Sequence, residues 1–175
     1  MGRLGIALLL LLASGFAQEG APAPDKQEPP VVLAVLVHPD NPVTDLPLSE
    51  LRAMFKLERQ FWASKERCSV YLPPSKSDEY AVLLDKVYRM KNKKLQKYWV
   101  QKLFSGEIPS KPEHVPNAKS AIEKVKAEEG AITVIAFAKG EELPKGVKLL
   151  TVDGKRPDAA DYPLLGKPSR DDDES

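Results

Sequence analysis

Apolar and polar residues are arranged along this chain in blocks that predict strands separated by helices. The block VVLAVLVH, residues 31–38, consists mostly of valine and leucine, which is typical of a strand covered on both faces. CSVYL at 68–72, AITVIAF at 131–137 and VKLLTV at 147–152 predict further strands on the same grounds. The turn residues of HPDNP, which begin at His38, predict that the first strand ends there.

Four other segments place apolar residues three and four positions apart, which is the spacing of a helix that buries one face. The sequence predicts Ser49, Ser77 and Asn92 as the caps of the first three helices. Gly130 is predicted to terminate the fourth helix. The apolar positions are Leu51, Met54 and Phe55; Tyr80, Leu83, Leu84, Val87 and Tyr88; Leu95, Tyr98, Trp99 and Leu103; and Ala118, Ala121, Ile122 and Val125.

Because the strands alternate with helices and are apolar throughout, the sequence predicts an α/β fold. We expect a layered, largely parallel sheet with flanking helices and right-handed crossover connections. Residues 31–155 are predicted to form this domain, and their number suits a single hydrophobic core.

The two ends of the chain are predicted to lie outside the domain. Residues 1–17 have the pattern of a secretory signal peptide: Arg3 precedes an apolar run, and Gly15 and Ala17 occupy the −3 and −1 cleavage positions. The apolar run is shorter than the ~20 residues that span a bilayer, so no stable membrane insertion is expected after cleavage. The protein is therefore expected in the periplasm or outside the cell.

Residues 18–30 are rich in proline and charge, which predicts a flexible linker, and residues 156–175 predict a disordered acidic tail. The whole chain has 26 basic and 25 acidic residues, for a formal net charge of +1. Loss of Arg3 with the signal would bring this charge to zero. A neutral chain has no overall electrostatic reason to bind nucleic acid or an anionic membrane.

The residue types that usually carry chemistry are sparse. Cys68 is the only cysteine, so an intramolecular disulfide is excluded, and its apolar surroundings predict a buried, inert thiol. His38 and His114 have no neighbours at metal-ligand spacing, so no metal or cofactor is predicted. No candidate nucleophile has a base close by in sequence, and the chain is not predicted to be an enzyme.

The stretch VYLPPSKSDEY, residues 70–80, carries the main candidate site. In a parallel sheet, ligands bind where strand ends meet helix starts, and a helix start offers free N–H groups and partial positive charge. Ser75 and Ser77 add hydroxyls and Lys76 adds an ammonium, so the three residues are predicted to bind an oxyanion. The alternative is that Ser77 is only a helix cap and Lys76 is solvated.

Two further stretches allow a functional and a structural interpretation. Residues 86–102 contain seven basic residues, no acidic ones and several aromatics, as in single-strand nucleic-acid binders. The aromatics fall on the apolar face of the predicted helix, which favours core packing with the lysines in solvent. His38, Asp40 and Asn41 follow a strand end and could reach a ligand, although Asp and Asn are also ordinary turn formers.

The order of several motifs resembles one lobe of the phosphate-type (type II) periplasmic substrate-binding proteins of ABC transporters. These motifs are HPDNPVTDLPLSELRAMF, Trp62 seven residues after Phe55, a strand leading into a Ser-x-Ser corner, and GAITVI, together covering 38–135. The resemblance implies an α/β lobe that binds phosphate or a similar oxyanion, with Ser75, Lys76 and Ser77 at the family's Ser-Gly-Thr corner.

The sequence departs from the family pattern at named positions. No arginine precedes the corner, Lys76 replaces the glycine, and Thr133 and Val134 stand where the family has Gly-Tyr. The chain also has about half of the family's usual length. These departures favour an alternative function, in which a degenerate lobe binds an envelope protein or a second copy of itself and no small molecule.

Overall fold

The structure, a computed structural model, describes residues 29–169. The signal peptide, most of the expected linker and residues 170–175 of the expected tail therefore lie outside the described residues. The elements, in chain order, are β1 Val31–Val37, β2 Asp45–Leu46, α1 Leu48–Phe55, β3 Ser69–Leu72, α2 Asp78–Leu83, α3 Asn92–Phe104, β4 Glu113–His114, α4 Ala118–Ala127, β5 Ala131–Ala136, β6 Lys148–Val152 and β7 Leu165–Gly166. A π-helical turn, Leu84–Tyr88, continues α2.

The strands form one sheet in the order β2-β6-β1-β5-β3-β4, and β7 pairs with the start of β1. The predicted α/β fold with a central sheet and flanking helices is confirmed. The sheet is mixed, however, and not largely parallel. β1 runs antiparallel to β5, β6 and β7, whereas β3 is parallel to both β4 and β5. Apolar runs indicate burial on both faces but carry no information about strand direction, so the sequence pattern could not reveal this.

β1 separates two hydrophobic cores, one on each face of the sheet. Leu33, Val35 and Val37 belong to the larger core, which α1, α2 and α3 cover. Ala34 and Leu36 belong to the smaller core, which α4 covers. This alternation confirms the prediction that the first strand is buried on both faces. No helix within residues 29–169 is both long and apolar enough to cross a bilayer.

One of the predicted helix caps is confirmed and two are wrong. The Ser77 hydroxyl accepts a hydrogen bond from Tyr80 N–H at the start of α2. Ser49 lies inside α1, whose first N–H, that of Leu48, donates to Asp153 Oδ1 at 2.9 Å. Because this acceptor comes from a turn 105 residues later in the chain, local sequence reasoning could not find it.

The start of α3 and the end of α4 also differ from the expected positions. Asn92 is the first residue of α3, and its Oδ1 accepts a hydrogen bond from the Tyr80 hydroxyl at 3.2 Å instead of capping the helix. α4 is capped by Asn117 and ends at Ala127, before Gly130. The Asn92 side chain therefore makes a tertiary hydrogen bond, although the local pattern predicted it as a helix cap.

The folded domain continues past residue 155, where the sequence predicted the start of a disordered tail. β7 pairs with β1, with Val31 opposite Gly166. The Tyr162 hydroxyl donates to the carbonyl of Leu33 at 3.0 Å, and Leu164 is fully buried. The spacing of apolar residues here is too irregular to predict an element, yet these residues complete the larger core.

Buried thiol and phenol groups make the stability of this fold sensitive to high pH. Burial raises the pKa of the Cys68 thiol and of the Tyr80 hydroxyl to about 12. Their protonated forms therefore favour the native state, and their contribution is fully present below about pH 9 and lost as the pH rises to about 12. We expect the urea concentration at the midpoint of unfolding to decrease as the pH is raised from about 9 to about 11.

The matched variant for this prediction is Tyr80→Phe, which removes one of the buried titrating phenols. Its urea midpoint should decline less steeply than that of the unmodified protein above about pH 10. Equal midpoints for the unmodified protein at about pH 8 and about pH 11 would contradict the prediction.

Candidate anion-binding corner

The candidate corner, residues 75–77, connects the carboxyl end of β3 to α2. Pro73 and Pro74 cannot continue a ladder because they lack N–H groups, so the strand ends before the turn. The N–H of Ser77 donates to the carbonyl of Pro74 at 3.0 Å, and its hydroxyl accepts from Tyr80 N–H at 3.2 Å. The corner is therefore a hydrogen-bonded turn that leads directly into a capped helix.

Three polar groups remain for a ligand at this corner. Ser75 and Lys76 are exposed, and within residues 29–169 their side chains make no hydrogen bond or ion pair. The Ser77 hydroxyl accepts from Tyr80 but keeps its own proton, so it can still donate. Together these groups offer two O–H donors and one ammonium, which suits an oxyanion.

The side chains of Ser75 and Lys76 are both exposed to solvent. Sites that bind small ligands tightly are concave and exclude water from most of the ligand surface. The corner alone therefore supplies one side of a binding site and does not enclose a ligand.

His114 contacts residues on both sides of the corner, and the sequence did not predict this role. Its Nδ1 lies 2.6 Å from the carbonyl oxygen of Pro73, and its ring packs edge-on against Tyr80 at 4.9 Å. Because a carbonyl oxygen only accepts, Nδ1 must carry the proton. His114 reaches this position through β4, a two-residue strand that pairs with β3.

The second candidate stretch, HPDN, forms a local turn. Asp40 N–H donates to His38 Nδ1 at 3.2 Å, and Asn41 N–H donates to the carbonyl of His38 at 3.1 Å. The Asn41 side chain is buried and its Oδ1 accepts from Val43 N–H at 3.0 Å. These contacts agree with the turn-forming interpretation of His38, Asp40 and Asn41.

The basic segment 86–102 presents most of its lysines to solvent and its aromatic rings to the core, as the spacing predicted. Tyr88 and Trp99 are buried and pack edge-on at 6.1 Å. Tyr98 is half-buried, and its hydroxyl donates to the carbonyl of Lys56. These three rings are therefore not available to stack on nucleic-acid bases.

The described side chains provide neither a reactive thiol nor a metal-binding site. Cys68 is buried, as predicted, and burial raises its thiol pKa to about 12, which suppresses the reactive thiolate. Within residues 29–169, no three His, Cys, Asp or Glu side chains are grouped so that they could hold a metal ion.

Three solved structures of similar fold come from bacteria. An ABC-type phosphate transport receptor from Vibrio cholerae matches with a TM-score of 0.61 and 17% identity, over 82% of this chain and 59% of that one. PstS from Borrelia burgdorferi matches with a TM-score of 0.62 and 16% identity, over 79% and 55%. A Clostridium perfringens protein, classed as a phosphate ABC transporter substrate-binding protein and containing bound phosphate, matches with a TM-score of 0.57 and 18% identity, over 73% and 47%.

No protein-family model matches the chain, and no curated protein matches it. The chain spans about half the length of the three solved proteins, at 47 to 59% of each. At such low identity the likeness establishes the fold alone. This protein therefore has the layered, mixed α/β fold of phosphate ABC transporter substrate-binding proteins, over about half of their length.

Proposed function

We propose that this protein is an exported binding-protein-like domain that holds phosphate or a similar oxyanion at residues 75–77, for ABC-type transport. One observation carries the proposal: the side chains of Ser75 and Lys76, which have no partner among residues 29–169, follow a strand end and precede a helix start, in a fold shared with phosphate-binding proteins. The similar proteins are transport binding proteins, which supports a binding role and not catalysis.

The corner would bind its ligand through charge and hydrogen bonds. Lys76 would neutralise part of the negative charge, while the hydroxyls of Ser75 and Ser77 donate to the oxyanion. The carboxylates of Asp78 and Glu79 follow directly and oppose a second negative charge. A facing surface, from a further lobe, a second copy or an envelope partner, would exclude water and strengthen binding.

The corner is tested by NMR titration of the purified protein with inorganic phosphate. We expect amide shifts at residues 75–77, and a loss of at least about tenfold in affinity in Ser75→Ala/Lys76→Gln, since a charge-assisted hydrogen bond contributes about 1.5 kcal/mol or more. Lys139→Gln removes an exposed charge from another loop and serves as the control. Absence of shifts at these residues at millimolar phosphate would refute the proposal.

Ser77 is a poor choice for the first variant because it has a structural role. Its hydroxyl caps α2, so Ser77→Ala is expected to lower the free energy of unfolding by about 1 kcal/mol. Ser75 and Lys76 lack such contacts among residues 29–169, and their substitution should leave stability unchanged within about 0.5 kcal/mol.

A second candidate function is that of a protein-interaction module, and one surface favours it. The side chains of Val100, Leu103 and Phe104 on α3 are exposed, Phe104 by 89%. Exposed apolar residues that cluster at one helix end are typical of contact surfaces. If this function applies, Phe104→Ser should abolish recovery of a cross-linked envelope partner or homodimer, while Ser75→Ala should not.

A further inference from the structure

A cleft of about 320 Å³ lies along the outer edge of β3, and residues 75–77 do not line it. Its walls are residues 67–71 and residues 109–113, together with Leu57 and Gln60. We call it the edge cleft. It exists because β4 is only two residues long and Pro112 precedes it. Pro112 has no N–H with which to extend the ladder along the first half of β3.

The edge cleft is lined by two cations that lack partners. Arg67 and Lys111 contribute to opposite walls, and both are exposed. Within residues 29–169, neither side chain makes an ion pair or a hydrogen bond. The hydroxyls of Ser69 and Ser110, which also line the cleft, have no partner in the described part of the chain either. Among the described residues, four with unpartnered side-chain donors therefore line one small cleft.

A backbone donor points to the same space. Ser69 N–H donates to the carbonyl of Gly130 at 3.0 Å, so it faces β5. Because successive amides of a strand point in opposite directions, Val70 N–H faces the other side, towards the cleft. β4 begins opposite Tyr71, where Glu113 pairs with it, and no strand residue pairs with Val70 on this side. Val70 N–H is thus directed towards the same cleft as the four side chains.

The one acid in the wall of the edge cleft has its own counter-ion. Glu113 lines the cleft, and its carboxylate lies 3.4 Å from the ammonium of Lys124. Tyr71 also lines the cleft, and its hydroxyl donates to the Glu128 carboxylate at 3.0 Å. Since Lys124 offsets Glu113, the charges of Arg67 and Lys111 leave the cleft positive.

We propose that the edge cleft is a second binding site, separate from residues 75–77, for a small anion that carries carboxylate or phosphate oxygens. The Arg67 guanidinium can hold two oxygens side by side, and Lys111 supplies a second positive charge from the opposite wall. Ser69, Ser110 and Val70 N–H would complete the ligand's hydrogen bonds. The cleft volume suits a compact ligand such as a dicarboxylate or inorganic phosphate.

The test uses the purified protein and two probes in separate NMR titrations, succinate and inorganic phosphate. We expect the amides of Ser69, Val70 and Ser110 to shift with at least one probe. The variant Arg67→Gln/Lys111→Gln should weaken that binding by about tenfold or more, because charge-assisted hydrogen bonds are lost. Lys139→Gln removes a charge from a distant loop and should leave the binding unchanged.

The outcomes of these titrations distinguish binding at the edge cleft from binding at residues 75–77. Shifts at Val70 that the double variant abolishes support the edge cleft, and the probe that causes them identifies the ligand class. Shifts confined to residues 75–77 would overturn the edge cleft and leave the proposed function standing. Shifts at Val70 that persist in the double variant would also overturn it, because the two cations would then contribute nothing.

Discussion

Replacement of Gly130 by alanine is expected to destabilise this protein by about 3 kcal/mol or more. A Cβ at this position would lie 1.9 Å from the carbonyl oxygen of Arg67, a distance that requires the backbone to move. The carbonyl of Gly130 also accepts two hydrogen bonds, from Ser69 N–H at 3.0 Å and from Trp62 Nε1–H at 2.9 Å. A shift of this backbone would therefore disturb the packing of β3 and the position of Trp62 together.

The measurement for Gly130→Ala is urea unfolding followed by tryptophan fluorescence. The matched control is Gly140→Ala, because a Cβ there meets no heavy atom within 4 Å, although its φ of +85° disfavours alanine. The control is expected to lose about 1 kcal/mol from backbone strain alone. If Gly130→Ala loses no more than Gly140→Ala, the contact with Arg67 does not constrain the fold and the prediction is wrong.

Replacement of Leu164 by alanine is expected to lower the free energy of unfolding by about 3 kcal/mol. The Leu164 side chain is fully buried in the larger core, and its carbonyl accepts a hydrogen bond from Leu33 N–H at 3.1 Å. Truncation to alanine removes apolar contacts and leaves a cavity in the region where β7 joins β1. If Leu164 lay in a disordered tail, its replacement by alanine would not lower the free energy of unfolding.

Leu103→Ala is the control for Leu164→Ala. Leu103 lies on α3 with 39% of its side chain exposed, so the same substitution should change stability by no more than about 1 kcal/mol. Both variants are compared by urea unfolding under the same conditions. Equal stabilities of Leu164→Ala and the unmodified protein would show that residues 156–169 are not needed for the fold.

The corner illustrates how much of a site local sequence can predict. The position of Ser77 before a helical pattern correctly predicted its cap, since the hydrogen bond to Tyr80 spans only three residues. The support from His114 could not be predicted in the same way. It depends on β4 pairing with β3, which brings His114 Nδ1 to the carbonyl of Pro73, 41 residues away in the chain.

The edge cleft lay beyond sequence reasoning for a similar reason. Arg67 and Lys111 are 44 positions apart (111 − 67) and belong to no shared motif. They line the same cleft only because β4 pairs with the second half of β3 and leaves the first half uncovered. Pro112 indicates in the sequence that pairing does not extend before β4. Only the pairing of β4 with β3 shows that the first half of β3 is left uncovered.

The sequence by itself determined the burial of the first strand and of the aromatic side chains of α3, and the local cap at Ser77. Continuous apolar runs and helical spacing report the environment of a side chain, so β1 and the buried rings of α3 were predicted correctly. Only the tertiary structure decided the antiparallel direction of β1, the capping of α1 by Asp153 and the inclusion of Leu164 in the core. Each of these depends on a partner more than 90 residues away in the chain, and hydrogen bonds and packing over such separations leave no periodic trace in the sequence.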